Sequence, residues 1–288
     1  MHILITDSGV GGLSVVAYAE RFVRTHGFTE PVRLTFANAA PANDYGYNAM
    51  PTREAKLETF DRFLRSVTER FQPDFIYVAC NTLSVLLPDT PFTQAATVPV
   101  RGIVETGVSL LYRDLVSDPQ SLAIVFGTQT TIDAGTYPRE LSERGIAPSR
   151  IVSQACPGLA DTISEDREGT KTSVEIHGWV AKAIEKMVDR TAPVVAALAC
   201  THYGYRKDVF SAAFVEERVP ATVINPNERA VEDLFPATGG WHRETSVEFV
   251  TRYAIPDATV EALTFFLEDI SPPTVAAMQS FKHLPDLF

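Results

Sequence analysis

The stretch Phe75-Ile76-Tyr77-Val78-Ala79-Cys80-Asn81-Thr82 decides how this chain is read. Five apolar or aromatic residues run into a thiol, and two small polar residues follow it. After the Gln72-Pro73-Asp74 break, so continuous an apolar run predicts a strand buried on both faces of a parallel sheet. Asn81 and Thr82 stop the apolar pattern where a strand hands over to a loop. Ligands of open α/β sheets sit beyond the carboxyl ends of strands, which puts Cys80 where chemistry is usually placed. The arrangement returns 120 positions later as Val194-Val195-Ala196-Ala197-Leu198-Ala199-Cys200-Thr201-His202-Tyr203. One such cysteine is equally well explained as a small buried hydrophobe. Two, each following alanine at a strand end, point to function.

Outward from Cys80, the same alternation of strand and helix holds. His2-Ile3-Leu4-Ile5-Thr6 predicts a strand that ends at Asp7-Ser8-Gly9-Val10-Gly11-Gly12-Leu13-Ser14. Leu13, Val16, Ala19 and Val23 then fall at helical spacing. Glycines at this turn let backbone N–H groups face a ligand at the helix start. Ser14 stands where a dinucleotide fingerprint needs its last glycine, and no Gly-Lys-Ser/Thr follows, so neither nucleotide motif is present. Asp7, a carboxylate at a strand end, must be solvated, paired or functional; its plain alternative is to cap the loop. Further strands are predicted at residues 32–37, 98–103, 121–126, 151–155, 221–225 and 246–253. Apolar residues at Leu57, Phe60, Leu64, Val67 and Phe71 predict an amphipathic helix over 54–71. Helices are also predicted over 174–188, with Val180, Ile184 and Val188 on one stripe, and over 259–267. The tail from 271 to 288 reads as irregular. Strands alternating with helices imply an α/β fold, with mainly parallel sheets flanked by helices. The simplest architecture is two loosely twofold-related domains, each supplying one Ala-Cys strand end to a shared cleft.

At 288 residues with 45% hydrophobic and 21% charged side chains, the chain reads as an ordinary globular protein of two domains. A net charge of −11 disfavours nucleic acid or an anionic membrane as partner. No uncharged apolar run nears the ~20 residues of a membrane span, and the first residues lack a signal-peptide pattern. Three cysteines make no disulfide framework. A cytoplasmic protein is expected. Zinc sites usually show close-spaced ligand pairs, whereas these thiols stand on separate strands. A Cys–His hydrolase would use His202 but leave one thiol idle. Cys156 is followed by Pro157 and reads as core. His202, two residues after Cys200, suits an acid–base or thiol-activating role. Glu165 and Asp166 read as solvated acids of a loop.

Taken together, the Asp7–Ser14 turn, Ala79-Cys80-Asn81-Thr82 and Ala199-Cys200-Thr201-His202-Tyr203 resemble the aspartate/glutamate racemase superfamily. Tyr45-Gly46, Gly127-Thr128 with Thr131 and Tyr137, and Ala155-Cys156-Pro157 resemble its motifs in the same order. The resemblance runs from about residue 3 to residue 268. It implies a cofactor-independent amino-acid racemase, most readily of glutamate, with the active site between two α/β domains. It also implies a discontinuous first domain, 1–98 with 208–288, and a second of 99–207. On that pattern Cys80 and Cys200 are the acid–base pair on opposite faces of the substrate. Asp7 is the carboxylate paired with the first thiol and His202 the group assisting the second, with Glu165 as the partner of that histidine. Ser8, Asn81, Thr82 and Thr201 match positions that hold the amino and carboxylate groups. Tyr45 and Gly46 match the loop for the side-chain carboxylate, and Thr128 and Thr131 a substrate-binding turn. The resemblance further implies supply of a D-amino acid for peptidoglycan synthesis. No metal and no cofactor are expected. No lysine stands in a Schiff-base motif, which disfavours pyridoxal phosphate. The expected partner is a small amino acid; a homodimer is left open.

The chemistry agrees with that residue choice. An amino-acid α-proton is a very weak acid, and racemisation needs a base on each face. A thiol of pKa ~8.5 is tunable in either direction by its neighbours. Fixed N–H and O–H dipoles at strand ends can stabilise the carbanion-like transition state. The chain also departs from the family: Asp44 stands for a proline, Asn38 for an aspartate, Ala134 for a serine and Gly204 for a proline. An inward Asp44 would repel a substrate side-chain carboxylate ~4 Å away by about 4 kcal/mol at an effective ε of ~20. The alternatives are therefore a superfamily racemase for aspartate or a neutral amino acid, or an inactive amino-acid-binding relative.

Overall fold

The computed structural model describes residues 1–43, 45–235 and 240–288. It divides into two compact units, Met1–Ile103 with Asn227–Phe288, and Val104–Pro226. The chain opens with β1 (His2–Asp7), α1 (Leu13–His26), β2 (Val32–Asn38), α2 (Arg53–Phe71) and β3 (Phe75–Val78). The short helices α3 (Asn81–Ser84) and α4 (Pro91–Ala95) lead to β4 (Val100–Gly102). The second unit is built from α5 (Ile103–Ser117), β5 (Leu122–Gly127), α6 (Gln129–Asp133), α7 (Thr136–Glu143) and β6 (Ile151–Ala155). It continues through α8 (Leu159–Glu165), α9 (Thr170–Glu185), β7 (Val194–Ala199), α10 (Lys207–Glu216) and β8 (Ala221–Ile224). The chain then returns with α11 (Pro226–Leu234), β9 (Thr245–Thr251), α12 (Asp257–Leu267), α13 (Pro272–Gln279) and β10 (Lys282–His283).

The first sheet has strand order β10-β9-β2-β1-β3-β4 and the second β6-β5-β7-β8. Every strand pair in both is parallel. Helices cover both faces of such sheets, so their strands carry unbroken apolar runs. All six residues of β5 and of β7 are buried. Leu13, Val16, Ala19 and Val23 of α1 are fully buried. Their helical spacing turns one face of α1 onto the sheet, with Leu13, Val16 and Val23 each contributing roughly 1.5–3 kcal/mol. On α2 the buried residues are Phe60, Phe63, Leu64 and Val67, and Thr52 caps its start by accepting from the Ala55 N–H at 3.2 Å.

Several expectations are corrected. The helix expected over 174–188 ends at Glu185, so Val188 leaves the apolar stripe and is exposed, while Met187 is buried. The tail is ordered: Ser271 accepts from the Thr274 N–H, Pro272 opens α13, and β10 pairs with β9. The Pro272-Pro273 pair marks a helix start, because proline is suited to the first turn. Asn81 and Thr82, where the apolar run of β3 stops, begin the short helix α3. β4 belongs to the first sheet and β8 to the second, so residues 99–103 join the first unit and 208–226 the second. The orientation of Asp44 lies outside the described residues.

Candidate active site

Parallel sheets bring their strand ends to one edge, and the polar residues of the motifs collect there. In the first unit Thr6 pairs with Val78 and Asp7 with Asn38. The Ala79 N–H donates to the Thr6 carbonyl at 2.9 Å, extending the register by one residue and placing Cys80 level with Ser8. Ser8 Oγ lies 3.0 Å from Cys80 Sγ and also donates to Asp7 Oδ1 at 3.4 Å. A hydroxyl has one proton, so its two bonds are linked. While Ser8 donates to Asp7, its oxygen can accept from the Cys80 thiol. Once a thiolate forms, the same proton can turn to the sulfur.

Cys80 is 4% exposed and Asp7 is buried. Burial pushes the Cys80 thiol well above its ordinary range, and the Asp7 charge adds to this; hydrogen bonds from Ser8 and the Leu83 backbone oppose it. The resting group is therefore a thiol. Asn81 and Thr82, on α3 directly after Cys80, are buried. Gly12 is fixed by packing: an added Cβ would lie 2.8 Å from Asp7 Cβ and 3.0 Å from Phe36 Cε2.

The second unit repeats the plan. Gly127 of β5 pairs with Ala199 of β7, so Thr128 and Cys200 each stand one residue past paired strand ends, as Ser8 and Cys80 do. Cys200, Thr201 and His202 are buried, and so is Thr131. Thr128 Oγ1 lies 3.0 Å from Thr131 Oγ1 and accepts from its N–H at 3.3 Å. Glu165 is exposed at the end of α8. Asp166 is engaged locally, accepting from the N–H groups of Thr172 at 2.8 Å and Gly169 at 3.2 Å. Desolvation of Asp166 is outweighed by these bonds, which hold its carboxyl below the usual range. Cys156 is buried, and its carbonyl accepts from the Tyr203 hydroxyl at 3.1 Å.

Three tyrosines follow strands of the first unit in the chain, Tyr45 and Tyr47 after β2 and Tyr253 after β9. Tyr45 is 44% exposed. Tyr253 Oη accepts from Asn38 Nδ2 at 3.0 Å, while Asn38 Oδ1 accepts from the Ala40 N–H at 2.9 Å, so the amide orientation is set by its network. Sequence reasoning missed Tyr253, which lies 215 residues from Asn38 and in no motif. It also passed over Tyr47, in the 3-10 turn Tyr47–Ala49 directly after Gly46. Tyr47 is 1% exposed, and its ring meets Phe60 edge-on at 6.3 Å. Its hydroxyl has no hydrogen-bond partner among the described residues.

The sequence profile of the Asp/Glu/Hydantoin racemase family matches residues 8–234, which takes in both cysteine strand ends. The chain belongs to this family. Within this racemase family it is 29% identical over 231 residues to the glutamate racemase of a Nitratiruptor species, covering 80% of this chain and 81% of that one. Its fold is shared with the glutamate racemase of Campylobacter jejuni subsp. jejuni, at a TM-score of 0.69 and 21% identity over 98% of this chain and 100% of that one. It is shared too with the Francisella tularensis subsp. tularensis glutamate racemase solved with D-glutamate, at 0.70 and 20% identity over 92% and 93%. As a member of a racemase family the chain is an isomerase. Among the described residues no cluster of three or more His, Cys, Asp or Glu could hold a metal ion, and no helix is long and apolar enough to cross a membrane.

Proposed function

We propose that this protein interconverts L- and D-glutamate without a cofactor, using Cys80 and Cys200 as the two acid–base groups. The observation that carries the reading is the repeated strand-end cysteine: each follows alanine at the end of a buried parallel strand, level with a hydroxyl residue on its neighbour. One sulfur, as thiolate, takes the α-proton. The other, as thiol, returns a proton to the opposite face, so the roles exchange with the direction of reaction. The reading requires both sulfurs to reach one α-carbon.

The Ser8 bonds suit the first of these roles. Its hydroxyl can serve the Cys80 thiol and thiolate in turn by reorienting one proton. Asp7 favours the protonated sulfur, which keeps Cys80 a ready acid and, once ionised, a strong base. Asn81, Thr82, Thr128, Thr131 and Thr201 offer hydroxyl and amide groups for the substrate's charged ends, and Tyr45-Gly46 offers backbone for its side chain. His202 is assigned to assist Cys200. Glutamate is favoured over other amino acids because the matching relatives are named glutamate racemases.

Incubation with glutamate, aspartate, alanine and serine in D₂O, followed by proton NMR and optical rotation, tests this. The expected result is deuterium at the α-carbon of glutamate with loss of optical activity. Exchange confined to another amino acid would reassign the substrate. Binding without exchange would make the protein a ligand-binding relative.

A further inference from the structure

The turn Ser8-Gly9-Val10-Gly11-Gly12 between β1 and α1 has few side chains by which the fold can fix it. Glycine leaves the backbone its widest choice of conformation and offers nothing to anchor. Yet this turn keeps Ser8 Oγ 3.0 Å from Cys80 Sγ. At its far end Gly12 is set by close packing on Asp7 and Phe36. Between Ser8 and Gly12 the handle is a carbonyl: that of Gly11 accepts from the Ser14 N–H at 3.1 Å and from the Ser14 hydroxyl at 2.8 Å. A hydroxyl has one proton, and this one is committed to Gly11. Toward a second partner Ser14 Oγ is therefore an acceptor, and Asn227 Nδ2 donates to it at 2.9 Å. Asn227 is fully buried and Ser14 nearly so, which leaves bulk water no way to replace the amide. Asn227 stands in the first turn of α11, where the chain re-enters the first unit, 213 residues from Ser14.

We propose that Asn227 is a positioning residue for the Cys80 strand end: its amide orients the Ser14 hydroxyl, which holds the Gly11 carbonyl and with it the turn that sets Ser8 beside the sulfur. Without the amide the Ser14 proton can turn from Gly11, and the glycine-rich turn loosens around Ser8. The inference rests on the amino-acid racemase reading for its effect on rate, though not for its effect on the sulfur.

Two readouts test it. The first is the pH midpoint of iodoacetamide alkylation of Cys80, in protein carrying Cys156→Ser and Cys200→Ser, with and without Asn227→Ala. The groups that interact with the sulfur, Asp7, Ser8, the Leu83 backbone and the Tyr47 phenol, are all unchanged by that substitution. With Ser8 no longer fixed, the thiolate loses a donor, and the midpoint should rise by ~0.5 pH or more. The second is racemisation by the protein with all three cysteines, where kcat/KM for glutamate should fall ~10-fold. Ser14→Ala cuts the same relay at a helical position that alanine suits, so it should reproduce both changes and decides the matter should Asn227→Ala not fold. The double variant should be no worse than either single one, because all three lose the same relay. A midpoint within ~0.2 pH of the parent in both single variants would overturn the proposal, whatever their urea stability, and leave Asn227 an anchor of α11. Losses that add in the double variant would overturn the route through Ser14. If the wild type shows no α-proton exchange, the racemase reading fails, while Asn227 still stands or falls on the midpoint.

Discussion

At the scale of the residue, the proposed chemistry turns on how a buried sulfur is held. Burial and the Asp7 carboxylate both disfavour the Cys80 thiolate, so its titration lies above the usual thiol range of about 8.5. In a protein whose only cysteine is Cys80, carrying Cys156→Ser and Cys200→Ser, alkylation by iodoacetamide should rise with pH to a midpoint above ~8.5. Because Asp7 pushes the thiol up, Asp7→Asn should move that midpoint to lower pH. A midpoint at or below ~8.5 in the first protein, or an upward move in the second, would contradict this account of the site. Ser8→Ala removes the hydroxyl 3.0 Å from the sulfur and should push the midpoint higher still. The Cys80-Ser8-Asp7 cluster was legible in sequence because its members are strand-end motif residues. The Asn38–Tyr253 bond was not, since it joins side chains with no local pattern between them.

At the scale of the element, the glycine turn and the Tyr45-Gly46 loop make different demands. Gly12 approaches Asp7 and Phe36 so closely that Gly12→Ala must displace one of them, at a cost of roughly 1–3 kcal/mol. Gly46 has open space around it and an extended φ of −92°, so Gly46→Ala should leave stability within ~0.5 kcal/mol. Urea denaturation of the two variants checks the contrast, and equal losses would contradict it. Thr52→Ala should cost about 0.5–2 kcal/mol, as the loss of an N-cap does. The strands were readable because burial on both faces writes an apolar run into β1, β3, β5 and β7. Helix ends were less so. Val188 keeps the apolar spacing of α9 after the helix has stopped, and the tail from 271 reads as irregular although proline suits the first turn of α13.

At the scale of the whole molecule, the chain makes two parallel sheets and gives each the same strand-end arrangement, a cysteine after alanine level with a hydroxyl residue. The repeat explains why an odd number of cysteines yields a matched pair: Cys80 and Cys200 occupy equivalent strand ends, and Cys156 is buried with its carbonyl accepting from the Tyr203 hydroxyl. Alternation of strand and helix foretold the α/β class, while the exact unit limits depended on which sheet β4 and β8 joined, a long-range pairing with no local signal. The central claim, two sulfurs serving one α-carbon, is tested most directly by racemisation of L- and D-glutamate by three single variants. Cys80→Ser and Cys200→Ser should each lower the rate at least ~100-fold, the range of a lost acid–base group, while Cys156→Ser stays near wild type. A wild-type rate in either of the first two would contradict the account.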